Sequence, residues 1–354
     1  MSAPRGPLPS HAGQAGALDA REAARRAAGT GPLTIAVVGA SGFVGRHVAA
    51  EAEARGHRVL RVRAPRLDAP LRGGRAPLWR EHEALAHRAA EFAASLTVPA
   101  DAARALGRAD IVINAAGLAR PDGAAEAALL GANAVLPPLL ARASGAPLIH
   151  LSSAAVLGDR PLTSAAECAP FSDYSASKAA GELALDSAGS PVCIVRATSV
   201  QGPERATTRA FARLACSPAG TWSDDAPTPL TSALSLARLT VGLAEDAAAG
   251  RDVPRRVLQP WEGATTRSAL DAARTAAGLG PARRVPAPAA RAALWAASSA
   301  GRVPGPAGQK ASAAQRRLEL LWRGQPQTDE WPRASLLAGP SEIHGVLADT
   351  ARSR

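Results

Sequence analysis

Apolar residues arrive in short, sharply bounded runs along the first two hundred positions. Leu33-Thr34-Ile35-Ala36-Val37-Val38 stops at a glycine, Ile111-Val112-Ile113 stops at an asparagine, and Leu148 to Leu151 and Val192 to Val195 each give way to polar residues. Runs this short and this uniformly apolar predict strands buried on both faces, and His57 to Val62 predicts one more. Between the runs the apolar spacing turns helical. Helices are expected over Phe43 to Arg55, Arg80 to Ala94, Ala100 to Leu106, Glu126 to Ala143 with an interruption near Pro137-Pro138, and Tyr174 to Ser187. Residues 64–80 read as loop.

Strands alternating with helices imply βαβ units, whose right-handed crossovers give an α/β fold: a Rossmann-like, doubly wound parallel sheet. After about residue 200 the pattern loosens. Pro, Gly and Trp punctuate it, and helical stretches recur at Leu234 to Glu245, Thr266 to Ala277, Ala289 to Ser299 and Ser312 to Leu321. Residues 201–354 are therefore expected to form a smaller mixed lobe over the carboxyl edge of the sheet, with strands able to return to it. Residues 1–31 are rich in Ala, Gly, Pro and Arg and have no apolar h-region, so they read as a flexible extension rather than a signal peptide.

Composition narrows the picture in three ways. Aromatic residues make up only 3% of the chain, so Ala, Val and Leu must build its core. Three cysteines without metal-like spacing argue against a disulfide framework and a metal site, and point to a reducing, cytoplasmic setting. No apolar run approaches the ~18 residues of a membrane span. The net charge of +11 is uneven: from Arg274 to Arg317 lie eight basic residues and no acid. That stretch is either a solvated surface or a positive field for a phosphate-bearing substrate. No aromatic stacking platform or common module suggests nucleic acid.

Two motifs carry chemistry. Gly39-Ala40-Ser41-Gly42-Phe43-Val44-Gly45 links the first strand to the first helix, where a dinucleotide's pyrophosphate would rest against the helix N-terminus. Residues 32–200 are accordingly expected to form the dinucleotide-binding domain. After the second strand, Arg61, Arg63 and Arg66 precede the first acid, Asp68. Guanidinium groups favour a 2′-phosphate, which tilts NAD(P) toward NADP, with Arg63 as the contact. The second motif pairs the chain's single tyrosine, Tyr174, with Lys178, one of only two lysines. Four residues apart on a helix they share a face. The ammonium is expected to lower the phenol's pKa and fit it for general acid/base work on an alcohol or ketone.

The glycine spacing and the Tyr-x-x-x-Lys pair together resemble the short-chain dehydrogenase/reductase superfamily. Asn114-Ala115-Ala116-Gly117 is similar to its N-A-G-type motif, and Asn133 falls where the family carries a structural or catalytic asparagine. His150 to Gly158 looks like the S-S-x-x-V-Y-G segment of the extended branch, the NAD-dependent epimerases and dehydratases, and Arg196 to Pro203 looks like its R-x-x-N-V-Y-G-P. The resemblance covers residues ~33 to ~245. It implies that Ser153, with Ser152 second, binds the reacting oxygen, that Tyr174 transfers the proton, and that Lys178 also holds the nicotinamide ribose. Gly39, Ser41, Gly42, Phe43, Val44, Gly45, Asn114, Ala115, Ala116, Gly117 and Asn133 would contact the cofactor.

Departures bear on the substrate. Leu157, Ser199 and Gln201 replace the family's Tyr, Asn and Tyr, and Ala154-Ala155 replace the Asp-Glu pair of the 4,6-dehydratases, which removes the groups that would eliminate water. The expected activity is thus hydride transfer at a secondary alcohol or ketone of a sugar or nucleotide sugar, as epimerase or ketoreductase. Ser199 and Gln201 would touch the sugar, and Arg283 and Arg284 would neutralise a diphosphate. A non-catalytic NADP(H)-binding sensor, or a reductase of an apolar terpenoid, steroid or polyketide carbonyl, are the alternatives. Many family members pair through the tyrosine helix and the one before it, which implies a homodimer packed on Ala176, Ala179, Ala180 and Gly181.

Overall fold

The computed structural model describes residues 31–74, 76–119, 125–187, 189–301, 315–316, 318–328 and 341–353. The expected N-terminal extension lies, but for its last residue, outside them. The chain begins as β1 (Thr34–Val38), α1 (Phe43–Ala54) and β2 (Arg58–Val62), then α2 (His82–Ser95), α3 (Ala100–Leu106) and β3 (Ile111–Asn114). A helical stretch follows in three parts: α4 (Glu126–Leu130), a π-helical turn (Gly131–Val135) and α5 (Leu136–Ala143). Next come β4 (Leu148–Ser153), α6 (Asp173–Asp186), β5 (Val192–Ala197), β6 (Ser199–Gln201), α7 (Ala206–Ala215), β7 (Thr221–Trp222), β8 (Leu230–Ser232) and α8 (Ala233–Ala248). The remainder is β9 (Arg256–Leu258), α9 (Thr266–Ala276), β10 (Arg283–Arg284), α10 (Ala287–Gly301) and α11 (Ile343–Arg352).

Six parallel strands form the main sheet in the order β2-β1-β3-β4-β5-β9. The order reverses between β1 and β3, and the crevice outside the carboxyl ends of those strands is where ligands bind in such sheets. Side chains alternate between the faces, as strand geometry requires. Ile35, Val37, Ile111, Ile113, Ile149, Cys193 and Val195 pack with α1 and α8 on one side. Ala36, Val38, Val112, Leu148, Val192 and Ile194 pack with α3, α5 and α6 on the other. β9, from beyond residue 250, joins the sheet beside β5.

An additional layer covers the second face. Leu85, Ala86, Ala89 and Ala93 of α2 pack against Ala176, Ala180 and Ala184 of α6 and against Leu130, Ala134, Val135 and Leu139. The small-residue face of α6 expected to receive a second copy is therefore filled within the chain. Gly181 sits so close to the π-helical turn that a Cβ there would stand 2.2 Å from the Asn133 carbonyl oxygen. The interruption expected at Pro137-Pro138 falls instead at Gly131–Val135. Gly131 rests on the Leu67 backbone, where a Cβ would come within 1.8 Å of its oxygen. The prolines lie in the first turn of α5, where their missing N–H groups cost little.

Candidate active site

A cavity of about 400 Å³ opens at the carboxyl ends of β3, β4 and β5. Ala115, Ala116 and Gly117 form one wall, Ser152 to Ala155 and Leu151 the floor, and Ala197 to Val200 the opposite wall. Tyr174 and Lys178 enter from α6, Arg205 from the turn before α7, and Arg316, Leu320 and Gln325 from the C-terminal region.

The glycine loop flanks this cavity, and Val44 reaches its lining. Gly39 has φ +80°, a conformation other residues rarely adopt, and its amide donates to the Val62 carbonyl at 2.9 Å. Gly45 packs so tightly under the loop that a Cβ would fall 2.1 Å from the Gly39 oxygen. Gly42 precedes α1 without a side-chain cap, and the helix has no acid in its first turn. Its free N–H groups and positive dipole end fit a pyrophosphate, so the loop suits a dinucleotide. Ser41 is exposed beside it, and Phe43 is partly buried. The Gly39–Val62 bond brings the loop next to the residues following β2. There Arg61 is tied to Glu53 at 2.8 Å, while Arg63 is exposed with no carboxylate partner among the described residues.

Ser153 and Tyr174 are brought together in the cavity lining, where the Ser153 hydroxyl draws the phenol's pKa down. Ser153 ends β4 and caps the 3₁₀ turn after it, accepting from the Ala155 amide at 3.2 Å. Tyr174 is the second residue of α6, whose start is secured by a capping box between Ser172 and Ser175. Ser152 points elsewhere and donates to buried Glu182, so the two serines have separate duties. Glu182 in turn holds Arg196 at 2.8 Å, both side chains wholly buried, and Arg196 donates to the carbonyls of Thr163 and Ala165. This network ties β5 and the 159–172 loop to the helix that bears Tyr174.

The electrostatics differ from the expectation for the Tyr–Lys pair. Burial pushes the Tyr174 phenol above its ordinary range, and the Ser153 hydrogen bond and the Arg205 charge pull it back. The Lys178 amine is itself buried and donates to the Leu151 carbonyl at 3.1 Å. Burial lowers Lys178 to about 8, partly offset by Glu182. A Cβ on Gly117 would meet that amine at 2.9 Å and Asn133 Oδ1 at 3.0 Å.

Both asparagines serve the backbone. Asn114 Oδ1 accepts from the Ala116 amide at 3.1 Å, shaping the turn at the cavity wall. Asn133 accepts from the Leu118 amide at 2.9 Å and donates to the Leu118 carbonyl and to Ser177, so it braces the wall from behind without lining the cavity. His150, behind Asn114, is held well below its usual pKa by burial and by Lys178, hence neutral.

Of the residues expected to meet substrate, Ser199 lines the cavity. Gln201 is buried and bonded to Ser199 and Thr208, and Leu157 is enclosed with Val156, Leu162 and Leu258. Arg283 and Arg284 lie outside it, in β10 against β7, where the Arg284 guanidinium covers the Trp222 ring. The cavity arginines are Arg205, at a position no motif marks, and Arg316, from the basic stretch Arg274 to Arg317. Arg316 donates to the Gly158 carbonyl at 2.8 Å. Among the described residues no carboxylate lines the cavity, no cluster of three His, Cys, Asp or Glu could hold a metal, and no helix is long and apolar enough to cross a membrane.

Comparison with known proteins gives the chain's family and relatives. The profile of the NAD dependent epimerase/dehydratase family matches residues 35–219. A dTDP-4-dehydrorhamnose reductase of Mycobacterium tuberculosis is 32% identical over 174 residues, covering 46% of this chain and 48% of the reductase, so the chain spans about half the length of the curated relatives it matches. MoeE5, solved with UDP-glucose and NAD, superposes with a TM-score of 0.54 at 20% identity over 90% of this chain and 99% of its own. TunA, an NAD-dependent NDP-hexosamine 5,6-dehydratase, superposes with a TM-score of 0.55 at 17% identity over 91% of this chain and 98% of its own. At such identities the two structures establish the shared fold. The matched profile, spanning more than half the chain from the first strand past the tyrosine helix, places the protein in the NAD dependent epimerase/dehydratase family.

Proposed function

We propose that the protein is an NAD(P)-dependent oxidoreductase that exchanges hydride at a secondary alcohol or ketone of a sugar or nucleotide sugar, as an epimerase or a ketoreductase. The observation that carries this reading is the meeting of Tyr174 and Ser153 in one cavity lining, beside the glycine loop. Gly39, Ser41, Gly42, Phe43, Val44 and Gly45 would receive the pyrophosphate, Asn114 to Gly117 would shape the wall behind the nicotinamide, and Lys178 would hold the ribose hydroxyls. Arg63, next to the loop and free of any carboxylate partner among the described residues, suits the 2′-phosphate of NADP.

Bound NAD(P) supplies the hydride donor or acceptor. The chain's own groups manage the oxygen. Ser153 donates a hydrogen bond to it and stabilises the charge that develops. Tyr174 passes its proton to that oxygen in reduction and takes one from the alcohol in oxidation. Dehydration finds no support, since Ala154 and Ala155 stand on the floor and no described carboxylate lines the cavity. The similarity to a dTDP-4-dehydrorhamnose reductase favours the reductive outcome, and Arg205 and Arg316 replace Arg283 and Arg284 as the groups suited to an anionic substrate. A second reading, reduction of an apolar carbonyl, is favoured by Leu118, Leu162, Phe171 and Leu320 in the lining.

The test is turnover of NADPH and NADH with a panel of nucleotide keto-sugars, beside interconversion of nucleotide sugars without net cofactor consumption. Tyr174→Phe is expected to lower kcat by about 10²–10⁴-fold while nucleotide binding persists. A variant as active as wild type would sink the reading.

A further inference from the structure

We propose that the outer face of α10, carrying Trp295 and Arg291 and preceded in the chain by Arg283 and Arg284, docks on an anionic lipid surface. The proposal is independent of the chemistry assigned to Tyr174.

α10 is apolar nearly all round. Its sequence, APAARAALWAASSAG, carries a single charged residue, Arg291. Ala290 and Leu294, one turn apart, are buried and pack with Val285, Leu318, Leu321 and Trp322. On the other side Ala289, Ala292, Ala293 and Ala296 are exposed, and Trp295 is 72% exposed. A helix that is apolar on both sides needs cover on both, yet this side faces solvent. An indole so open to water favours any partner that removes it from water.

Charge identifies the partner. From Arg274 to Arg317 the chain has eight basic residues and no acid. Arg283 and Arg284 are exposed in β10, separated from α10 only by Val285 and Pro286, and exposed Arg291 stands one turn before Trp295. Among the described residues the ion pairs nearest in the chain, Arg267–Asp271 and Arg316–Glu319, leave these three arginines out. A second copy placed here by a two-fold axis would set the cations against their own images, with no acid of the stretch to answer them. Anionic headgroups answer them directly. The indole, apolar with one N–H, suits the headgroup level, and an arginine beside it can keep its charge at the lipid phosphates. Residues 318–322 stand between α10 and the cavity: Leu318 and Leu321 pack under α10, while Leu320 lines the cavity. Docking would therefore hold the lipid surface on the far side of α10, one chain segment removed from the cavity.

The test is sedimentation of the purified full chain with two kinds of sucrose-loaded vesicle. One is phosphatidylcholine alone, the other phosphatidylcholine and phosphatidylglycerol in equal parts. Wild type should sediment with the anionic vesicles and stay in solution with the neutral ones, and its binding should weaken as salt rises. A net charge of +11 draws the whole chain toward anionic lipid, so Trp295 is the residue that decides. Trp295→Ala should lower the partition coefficient at least about tenfold, and Arg291→Gln about fivefold. Ala292→Glu, which sets an acid on the same exposed side, should match Trp295→Ala and stands in if circular dichroism shows that variant unfolded. The proposal is overturned if wild type ignores the anionic vesicles, if it binds both kinds equally, or if Trp295→Ala (or its stand-in) binds as wild type does. A dimer in analytical ultracentrifugation that Trp295→Ala dissolves would overturn it too, by giving the face to a second copy.

Discussion

The amine of Lys178 is buried against the Leu151 carbonyl, and Glu182 offsets its desolvation only in part, so the folded protein holds its proton less tightly than the unfolded chain does. Its pKa falls from 10.5 to about 8 on folding. Between those values the unfolded chain binds more protons, and the Lys178 contribution to stability rises with pH across that window. Below about pH 8 both states carry the proton and the full cost of burying the charge is felt. Lys178→Met removes this cost, so urea denaturation should show its advantage over wild type largest at pH 7 and shrinking by pH 9. Above pH 9 Cys168 and Cys193, pushed up to about 12 by burial, act in the opposite direction, which sets the upper limit of the useful range. An advantage independent of pH would mean that the amine is not desolvated. At this scale the residue types of the site were readable in the sequence, because Tyr174 and Lys178 are scarce and correctly spaced. Their electrostatic relation was not: spacing says that two side chains share a helix face, but burial and the Leu151 carbonyl decide where the amine points. Arg205 was invisible for another reason, since its place in the cavity depends on the tertiary route of the β6–α7 turn.

Strands and helices on the sheet were legible because a fully buried parallel strand leaves an uninterrupted apolar run, and no other local structure ends such a run so abruptly in Gly or Asn. The break in the helical stretch 126–143 was misplaced for a physical reason. Proline is the strongest breaker in isolation, yet Pro137 and Pro138 fall in the first turn of α5, where a helix tolerates them. The true interruption is imposed from outside, by the Leu67 backbone against Gly131 and by the bonds of Asn133 to Leu118. The contact between α1 and the glycine loop is an element-scale constraint with its own test. Gly45→Ala places a methyl group against the Gly39 carbonyl and forces the loop away from the helix. Isothermal titration should show nucleotide affinity reduced at least about tenfold, the equivalent of 1.4 kcal/mol, with far-UV circular dichroism unchanged. Retained affinity would place the pyrophosphate elsewhere.

In the whole molecule the feature with the widest reach is the layer formed by α2. The helix was expected from its apolar spacing, but nothing in that spacing said that its alanines and Leu85 would lie on α6, filling the face otherwise suited to a second copy. The long route from β2 through α2 to β3 thus supports the helix that bears Tyr174 from outside the cavity. Leu85→Ala should destabilise the protein by about 2–5 kcal/mol, as seen in the midpoint of thermal or urea unfolding. This support travels with the chain itself, so its local concentration around α6 is fixed however thin the solution becomes. Turnover per mole of protein should then hold constant from micromolar to nanomolar enzyme. A decline on dilution, reversed by adding inactive Tyr174→Phe protein, would reveal that a neighbouring molecule props up the catalytic helix after all.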